Sequence, residues 1–142
     1  MLIHLTAACL VAAAHAYSVP ADSLYGILRV EAGREGLAVR NHNGTEDLGP
    51  FQINTTWVST FTTYWKQPDT KTTYEMLRDN GCASAFGAAA ILRYHLDRTG
   101  DMETAIGDYH AGPAGSPAEA AKYLKAWRSI LDAELPPLSH HG

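Results

Sequence analysis

Residues 23–33 of the chain, SLYGILRVEAG, predict its first well-defined element. An amphipathic helix over this stretch has one face with positions i, i+3, i+4 and i+7, which are occupied by Leu24, Ile27, Leu28 and Glu31. Gly33 then supplies a helix stop. A carboxylate on an apolar face is costly unless it is paired or neutral. Glu31 is therefore expected to have either a hidden structural partner or a chemical role.

The composition predicts one globular domain. The chain has 142 residues, of which 46% are hydrophobic and 18% are charged, and this is apolar enough to build a core. The formal net charge is −4, and no cluster of Lys and Arg is present in the sequence. We therefore expect no nucleic-acid partner.

The N-terminus differs in composition from the rest of the chain. Residues 1–16 contain no Asp, Glu, Lys or Arg, and residues 5–14 form an apolar run too short to span a bilayer. The Ala-His-Ala that ends this segment has the small-x-small form of a signal-peptidase site. We predict a signal peptide over residues 1–16, a single domain over residues 17–142, and export to the periplasm or cell envelope. The alternative is that the segment is a buried N-terminal helix of the domain.

The signal-peptide interpretation has a consequence for the two cysteines, Cys9 and Cys82. Removal of the leader takes Cys9 away, and Cys82 then has no partner for an internal disulfide. We expect Cys82 to be a small buried hydrophobic side chain.

The remaining start, stop and turn signals predict a mainly helical (α+β) domain with a short irregular or hairpin segment near residues 40–54. Asp22 or Ser23 can cap the first helix, and Asn43-Gly44 is a strong hairpin-turn signal. Further helices are predicted over 55–61, 72–80 and 82–96; the second begins with a capping box at 72–75, and the third is a central apolar stretch. Two more helices are predicted from a cap at Asp101 to 109 and from Ser116-Pro117 to about 135, where Pro136-Pro137 prevents continuation.

The polar segment after the first helix has the side chains of a carbohydrate site. It brings together the carboxylate of Asp47, the amides of Gln52 and Asn54, and the indole of Trp57. Amides bind hydroxyl and acetamido groups, and an aromatic ring covers the apolar face of a sugar. Tyr109-His110 can add a second polar edge.

Glu31 then has a candidate role as a general acid. Burial in an apolar setting raises the pKa of a carboxyl group, and the C-terminal end of a helix acts in the same direction. A glutamic acid that stays protonated near neutral pH can protonate a glycosidic oxygen. The alternative is a structural ion pair with Arg29, Arg34 or Arg93.

Four parts of the sequence together resemble the catalytic domain of soluble-type lytic transglycosylases: Glu31, NGTEDLGPFQINTTW (43–57), GCASAFGAAAIL (81–92) and AIGDYHAG (105–112). The resemblance covers about residues 18–130. The chain is most similar to the small single-domain members that accompany type IV secretion, conjugation and pilus systems. The resemblance therefore implies a monomeric enzyme that binds peptidoglycan glycan strands. It also implies an association with components of such an apparatus.

The resemblance implies a lysozyme-like, mainly helical fold with a cleft between two lobes, which would make residues 17–142 the catalytic domain. Glu31 matches the single catalytic acid and base, which cleaves the bond from N-acetylmuramic acid to N-acetylglucosamine and leaves a 1,6-anhydro product. The other matching positions are implied to bind substrate, with Trp57 added as a sugar-stacking ring: Asp47, Phe51, Gln52, Asn54, Trp57, Tyr109 and His110.

The sequence departs from the family pattern at three positions. Ala32 replaces a common serine, Pro50 stands in the Gly-Leu-Met-Gln motif, and His110 replaces a common asparagine. These changes concern the sugar subsites rather than the class of reaction.

Asp47 leaves an alternative reaction open, because the same stretch is similar to animal c-type lysozymes, in which the matching Asp is a second carboxylate. A retaining hydrolase needs its two carboxyl groups roughly 5 Å apart. Asp47 can instead support its own turn. A further alternative, from another class, is a non-catalytic protein that binds peptidoglycan during assembly. We expect no metal and no cofactor, because the histidines show no ligand spacing and acid–base chemistry by one carboxyl group requires neither.

Overall fold

The computed structural model describes residues 2–112 and 114–135, and Pro136-Pro137 and the rest of the tail lie outside these ranges. Its architecture is mainly helical with a small sheet, as predicted. The described residues form seven α-helices and three strands in this chain order: α1 (Ala7–Ala16), α2 (Ala21–Glu31), β1 (Ala38–Arg40), β2 (Glu46–Leu48), β3 (Ile53–Asn54), α3 (Val58–Tyr64), α4 (Thr70–Asp79), α5 (Gly81–Thr99), α6 (Met102–Ala111) and α7 (Pro117–Glu134). A 3-10 turn, Thr55–Trp57, leads into α3.

Helix α5 lies at the centre of the molecule, with α1, α4 and α6 packed against it. Its alanines at 85, 88 and 89 are fully buried, so neighbouring helices approach closely. Helix α7 packs on α6 and α2. Trp127 of α7 donates a hydrogen bond from Nε1 to the carbonyl of Ser23 at 3.0 Å, and the missing side chain of Gly26 makes room for its ring. These contacts fix the position of α2, which carries Glu31.

The predicted hairpin is confirmed. Strands β1 and β2 are antiparallel, and the amide of Asn41 donates to the carbonyl of Thr45 at 2.8 Å across the turn. Gly44 has a φ of +87°, which explains the glycine after Asn43. Strand β3 adds a third member in the order β1-β2-β3. At two residues, β3 is too short to give a period-two signal in the sequence.

Most of the predicted helix boundaries are confirmed, including the Asp101 and Ser116 caps and the left-handed stop at Gly100. Three predicted helix ends are wrong. The left-handed stop of α2 is Ala32 rather than the predicted Gly33. Helix α4 begins earlier than the predicted capping box, because the side chain of Asp69 accepts a hydrogen bond from the amide of Thr72. Helix α2 begins directly after Pro20, which offers no side-chain cap.

The N-terminal segment is built into the domain as α1. Ala13 and Ala14 are buried against the core, and α1 contacts both α2 and α5. The expectation that Cys82 is without a disulfide partner is wrong in this structure. Cys82 forms a disulfide with Cys9, whose Cα lies 5.6 Å away, within the usual range for such a bond. This arrangement corresponds to the buried N-terminal helix that the sequence left as the alternative to a signal peptide.

Across residues 2–112 and 114–135, no helix combines the length and the apolar character needed to cross a membrane.

Candidate active site

A cavity of about 720 Å³ opens between the sheet region and helices α5 and α6. Glu31 lines it at the end of α2. The sheet side contributes Asn41, Asn43, Thr45, Asp47, Gln52, Asn54, Thr56, Trp57 and Thr60 to the lining, and the helical side contributes Ile91, Tyr94, His95, Asp108, Tyr109 and His110. The cavity therefore brings together every predicted site residue except Phe51.

The backbone directly after Glu31 ends α2 in a left-handed turn that lies against the loop at Gly49. Glu31 is the last residue of α2, and Ala32 ends the helix in the left-handed conformation with a φ of +53°. A non-glycine residue adopts this conformation at a cost, and such residues concentrate at functional sites. A Cβ on Gly33 would lie 2.1 Å from the carbonyl oxygen of Gly49, so only glycine lets the helix end lie against that loop.

The carboxyl group of Glu31 has a raised pKa of about 7. Burial is the largest cause because it disfavours the ionised form. The Tyr123 hydroxyl stabilises the anion and partly offsets this effect, while the negative charge of Asp47 raises the pKa further. A large fraction of Glu31 is therefore protonated at neutral pH.

The ion-pair alternative for Glu31 receives no support from its predicted partners. Arg29 binds Glu134, and Arg93 binds Asp97. Within the part of the chain that the structure describes, no Lys, Arg or His nitrogen comes within ion-pair distance of the Glu31 carboxyl group.

Asp47 and Asn54 form a polar network on the sheet side of the cavity. The Nδ2 group of Asn54 donates to Asp47 Oδ1 at 3.0 Å and to Thr45 Oγ1 at 3.0 Å. The side-chain Oδ1 of Asn54 accepts a hydrogen bond from the backbone amide of Thr56, and this bond caps the 3-10 turn. Asp47 accepts a hydrogen bond from Asn54 and also lines the cavity. Its surroundings are therefore compatible both with a structural role and with a role as a second carboxylate.

The comparison with known families agrees with this geometry. The family model "Transglycosylase SLT domain" matches residues 8–127. The chain belongs to the SLT transglycosylase family. No curated protein and no solved structure matches it. Members of this family are peptidoglycan lytic transglycosylases, which break glycosidic bonds as lyases. The match begins inside α1, so it includes part of the segment predicted as a signal peptide.

Gln52 of the transglycosylase supports the loop that Gly33, two residues after Glu31, packs against. Its Nε2 donates to the carbonyl of Gly49 at 2.9 Å, and its own φ is +52°. This is the second strained non-glycine residue beside the site, after Ala32. The amide side chain is therefore partly committed to structure, although it also lines the cavity.

Phe51 does not line the cavity of the transglycosylase and cannot bind substrate through its side chain. Its ring is fully buried in the core because the turn from β2 to β3 directs it inward. Only its carbonyl contributes to the site, by accepting a hydrogen bond from the Tyr109 hydroxyl at 2.9 Å. Burial, with the negative charges of Glu31 and Asp47, raises the pKa of Tyr109 well above its usual value, so this hydroxyl stays protonated.

Tyr123 is a site residue that the sequence interpretation missed. Its buried hydroxyl lies close enough to the Glu31 carboxyl group to affect its pKa, although the two groups do not meet hydrogen-bond geometry. The ring of His110 stacks on that of Tyr123, with centroids 4.7 Å apart. Tyr123 and Trp127 are spaced i, i+4, which is an ordinary core pattern. Nothing in the sequence alone separates this tyrosine from a packing residue.

Tyr94 and His95 were also missed. Both follow Ile91 on α5 at helical spacing and line the cavity with it. The i, i+3, i+4 pattern was available in the sequence. Because α5 is largely apolar, its sequence does not distinguish residues that face the cavity from residues that face the core.

Proposed function

We propose that Glu31 is the single general acid and base of a peptidoglycan lytic transglycosylase that cleaves the β-1,4 bond from N-acetylmuramic acid to N-acetylglucosamine. The observation that carries this proposal is a half-buried carboxyl group on a cavity wall, with a pKa of about 7. A general acid works best when its pKa lies near the operating pH.

The proposed reaction uses the carboxyl group twice. Protonated Glu31 gives its proton to the bridging oxygen as the bond from that oxygen to C1 of the muramoyl residue breaks. The resulting carboxylate then takes the proton of the C6 hydroxyl of the same sugar, whose oxygen bonds to C1. Glu31 returns to its protonated form, no water is consumed, and the product carries a 1,6-anhydro ring.

The remaining cavity residues are proposed to bind and orient the glycan strand. Asn54 and Gln52 supply amide groups, His110 supplies an imidazole edge, and Trp57 supplies an aromatic face on the sheet side. Tyr109 is proposed to act mainly by fixing the loop at residue 51, since its hydroxyl is already bound to a backbone carbonyl.

A second candidate reaction is hydrolysis with Asp47 as the second carboxylate. It is favoured by the observation that Asp47 lines the same cavity and raises the pKa of Glu31 through its negative charge. The hydrogen bond from Asn54 favours a supporting role for Asp47 instead.

The end groups of the released muropeptides distinguish the two reactions. We expect mass spectrometry of a peptidoglycan digest made in oxygen-18 water to show anhydro ends that lack one water and carry no label. A digest that contains only labelled reducing ends would overturn the proposal in favour of the hydrolase.

The substrate lies in the cell envelope, and this is where the family acts. We propose that residues 7–16 remain in the exported protein as α1, because α1 packs in the core and is joined to α5 by the disulfide. Association with a secretion, conjugation or pilus apparatus and a monomeric state stay predictions from the resemblance.

A further inference from the structure

Trp57 and Tyr94 form two adjacent walls of the cavity. Their ring centroids are 5.7 Å apart, and their planes meet at 76°. Both residues line the cavity that contains Glu31. We call this pair the aromatic corner.

Tyr94 is unusually exposed for a ring in this position. Half of its surface is open to solvent. Among the large hydrophobic residues that are exposed in the described ranges, it is the one that lines the cavity; the others are Leu2, Ile3, Val11, Val39 and Tyr64. An exposed aromatic ring beside an open cavity is typical of a ligand contact.

The Trp57 wall is backed by a stack of rings. The indole lies on Phe61 with centroids 5.9 Å apart, and Phe61 lies on Trp65 at 4.5 Å. Phe61 is buried, so this stack is anchored in the core. A wall held in place before binding loses little conformational entropy when a ligand arrives.

The Tyr94 wall is backed by His95, whose ring meets it edge-on at 5.1 Å. His95 Nδ1 lies 3.3 Å from Nη2 of Arg98, which in turn binds Asp108. Because a guanidinium group can only donate, Nδ1 must be the acceptor, and the imidazole is then neutral with its proton on Nε2. Burial and the charge of Arg98 also lower the pKa of His95. The corner is therefore backed by an uncharged ring.

The chemistry around the corner selects an uncharged sugar. The sheet side of the same cavity supplies the neutral side chains of Asn41, Asn43, Thr56 and Thr60, and no Lys or Arg is part of the described lining. A lining with acidic side chains and without Lys or Arg disfavours anionic ligands. Aromatic rings beside amide and hydroxyl groups fit a pyranose ring with an acetamido substituent.

We propose that the aromatic corner is a sugar subsite that binds an N-acetylglucosamine unit of the glycan strand, with Tyr94 as an affinity-determining residue. This inference rests on the proposed function for the identity of the strand. It adds a contact on α5 to those expected from the sequence.

The test measures binding apart from catalysis, by titrating an N-acetylglucosamine hexamer into Glu31→Gln protein in a calorimeter. Adding Tyr94→Ala is expected to weaken binding roughly three- to tenfold, the scale of an aromatic contact. Adding Tyr94→Phe, which keeps the ring, is expected to leave affinity within about twofold. Tyr64→Ala is the matched control, because Tyr64 is exposed but lies outside the cavity lining.

Equal affinities for the Tyr94→Ala and Tyr64→Ala proteins would overturn the inference, and so would failure of the parent protein to bind the hexamer. Thermal melting of each variant identifies any loss of fold, and the Tyr94→Phe protein keeps the test valid if Tyr94→Ala unfolds. Because the readout is binding, a failure here leaves the proposed reaction of Glu31 standing. Conversely, a digest with only labelled reducing ends would refute the proposed reaction but would leave the inference about the sugar subsite unaffected.

Discussion

Replacing Glu31 with glutamine is expected to lower the rate of peptidoglycan cleavage at least about a hundredfold, the usual scale for loss of a general acid. Glutamine keeps the size of the side chain but cannot deliver a proton. The rate is measured as muropeptide release from purified cell walls. Glu75→Gln is the matched control, because Glu75 is exposed on α4 and lies outside the cavity lining. We expect it to retain wild-type activity.

The same variant is expected to be at least as stable as the wild type. The pKa of Glu31 is raised in the folded protein. Its contribution to the free energy of unfolding is therefore fully present below the unfolded-state pKa of about 4.3. That contribution is lost as the pH rises through about 7. Glutamine does not ionise, and the Glu31→Gln protein should therefore melt at a higher temperature than the wild type above that pH. An inactive variant that unfolds, or a fully active one, would contradict the acid–base role.

Loss of the Cys9–Cys82 disulfide is expected to give the largest change in stability. The bond joins residues 73 positions apart, so it restricts a long loop in the unfolded chain. The chain-entropy model gives about 4 kcal/mol for a loop of this length. We expect Cys9→Ser/Cys82→Ser, or wild-type protein in reductant, to lower the melting temperature by roughly 10 °C. Ala8→Ser, an exposed change on the same helix, is the control and should shift it little.

The disulfide also tests whether α1 is retained after export. The intact mass of the exported protein should include residues 7–16 and should increase on reduction and alkylation by two blocked thiols. A mature N-terminus at Tyr17 would contradict retention and support the signal peptide. An unchanged melting temperature in reductant would show that the packing of α1 alone holds the N-terminal segment.

The sequence was most informative where local chemistry determines local structure. Ser116 and Pro117 specify a helix start, Gly100 specifies a stop, and Asn43-Gly44 specifies a turn, and the structure confirms all three. The placement of Glu31 on an apolar face was likewise visible in the spacing of its neighbours. These signals depend only on residues close together in the sequence, so they can be interpreted without knowledge of the tertiary fold.

The missed features depend on contacts between distant parts of the chain. The partner of Cys82 lies in a segment whose composition is that of a leader. The direction of Phe51 depends on a turn that buries its ring, and Tyr123 reaches Glu31 from the last helix. Tyr94 lies in a stretch that is largely apolar, so the sequence alone does not show that its ring lines a cavity. Whether an aromatic residue lines the cavity or fills the core becomes visible only once α5, α6 and the sheet are packed around that cavity.

The central claim is that Glu31 stays protonated near neutral pH, and carbon-13 NMR titration of its carboxyl group in the wild-type protein and in Asp47→Asn tests it directly. We expect a pKa of about 7 in the wild type. We expect a lower pKa in Asp47→Asn, because the neighbouring negative charge is removed. A wild-type pKa of about 4.3, the value of a glutamate in water, would show that Glu31 is ionised at neutral pH and would contradict its role as the general acid.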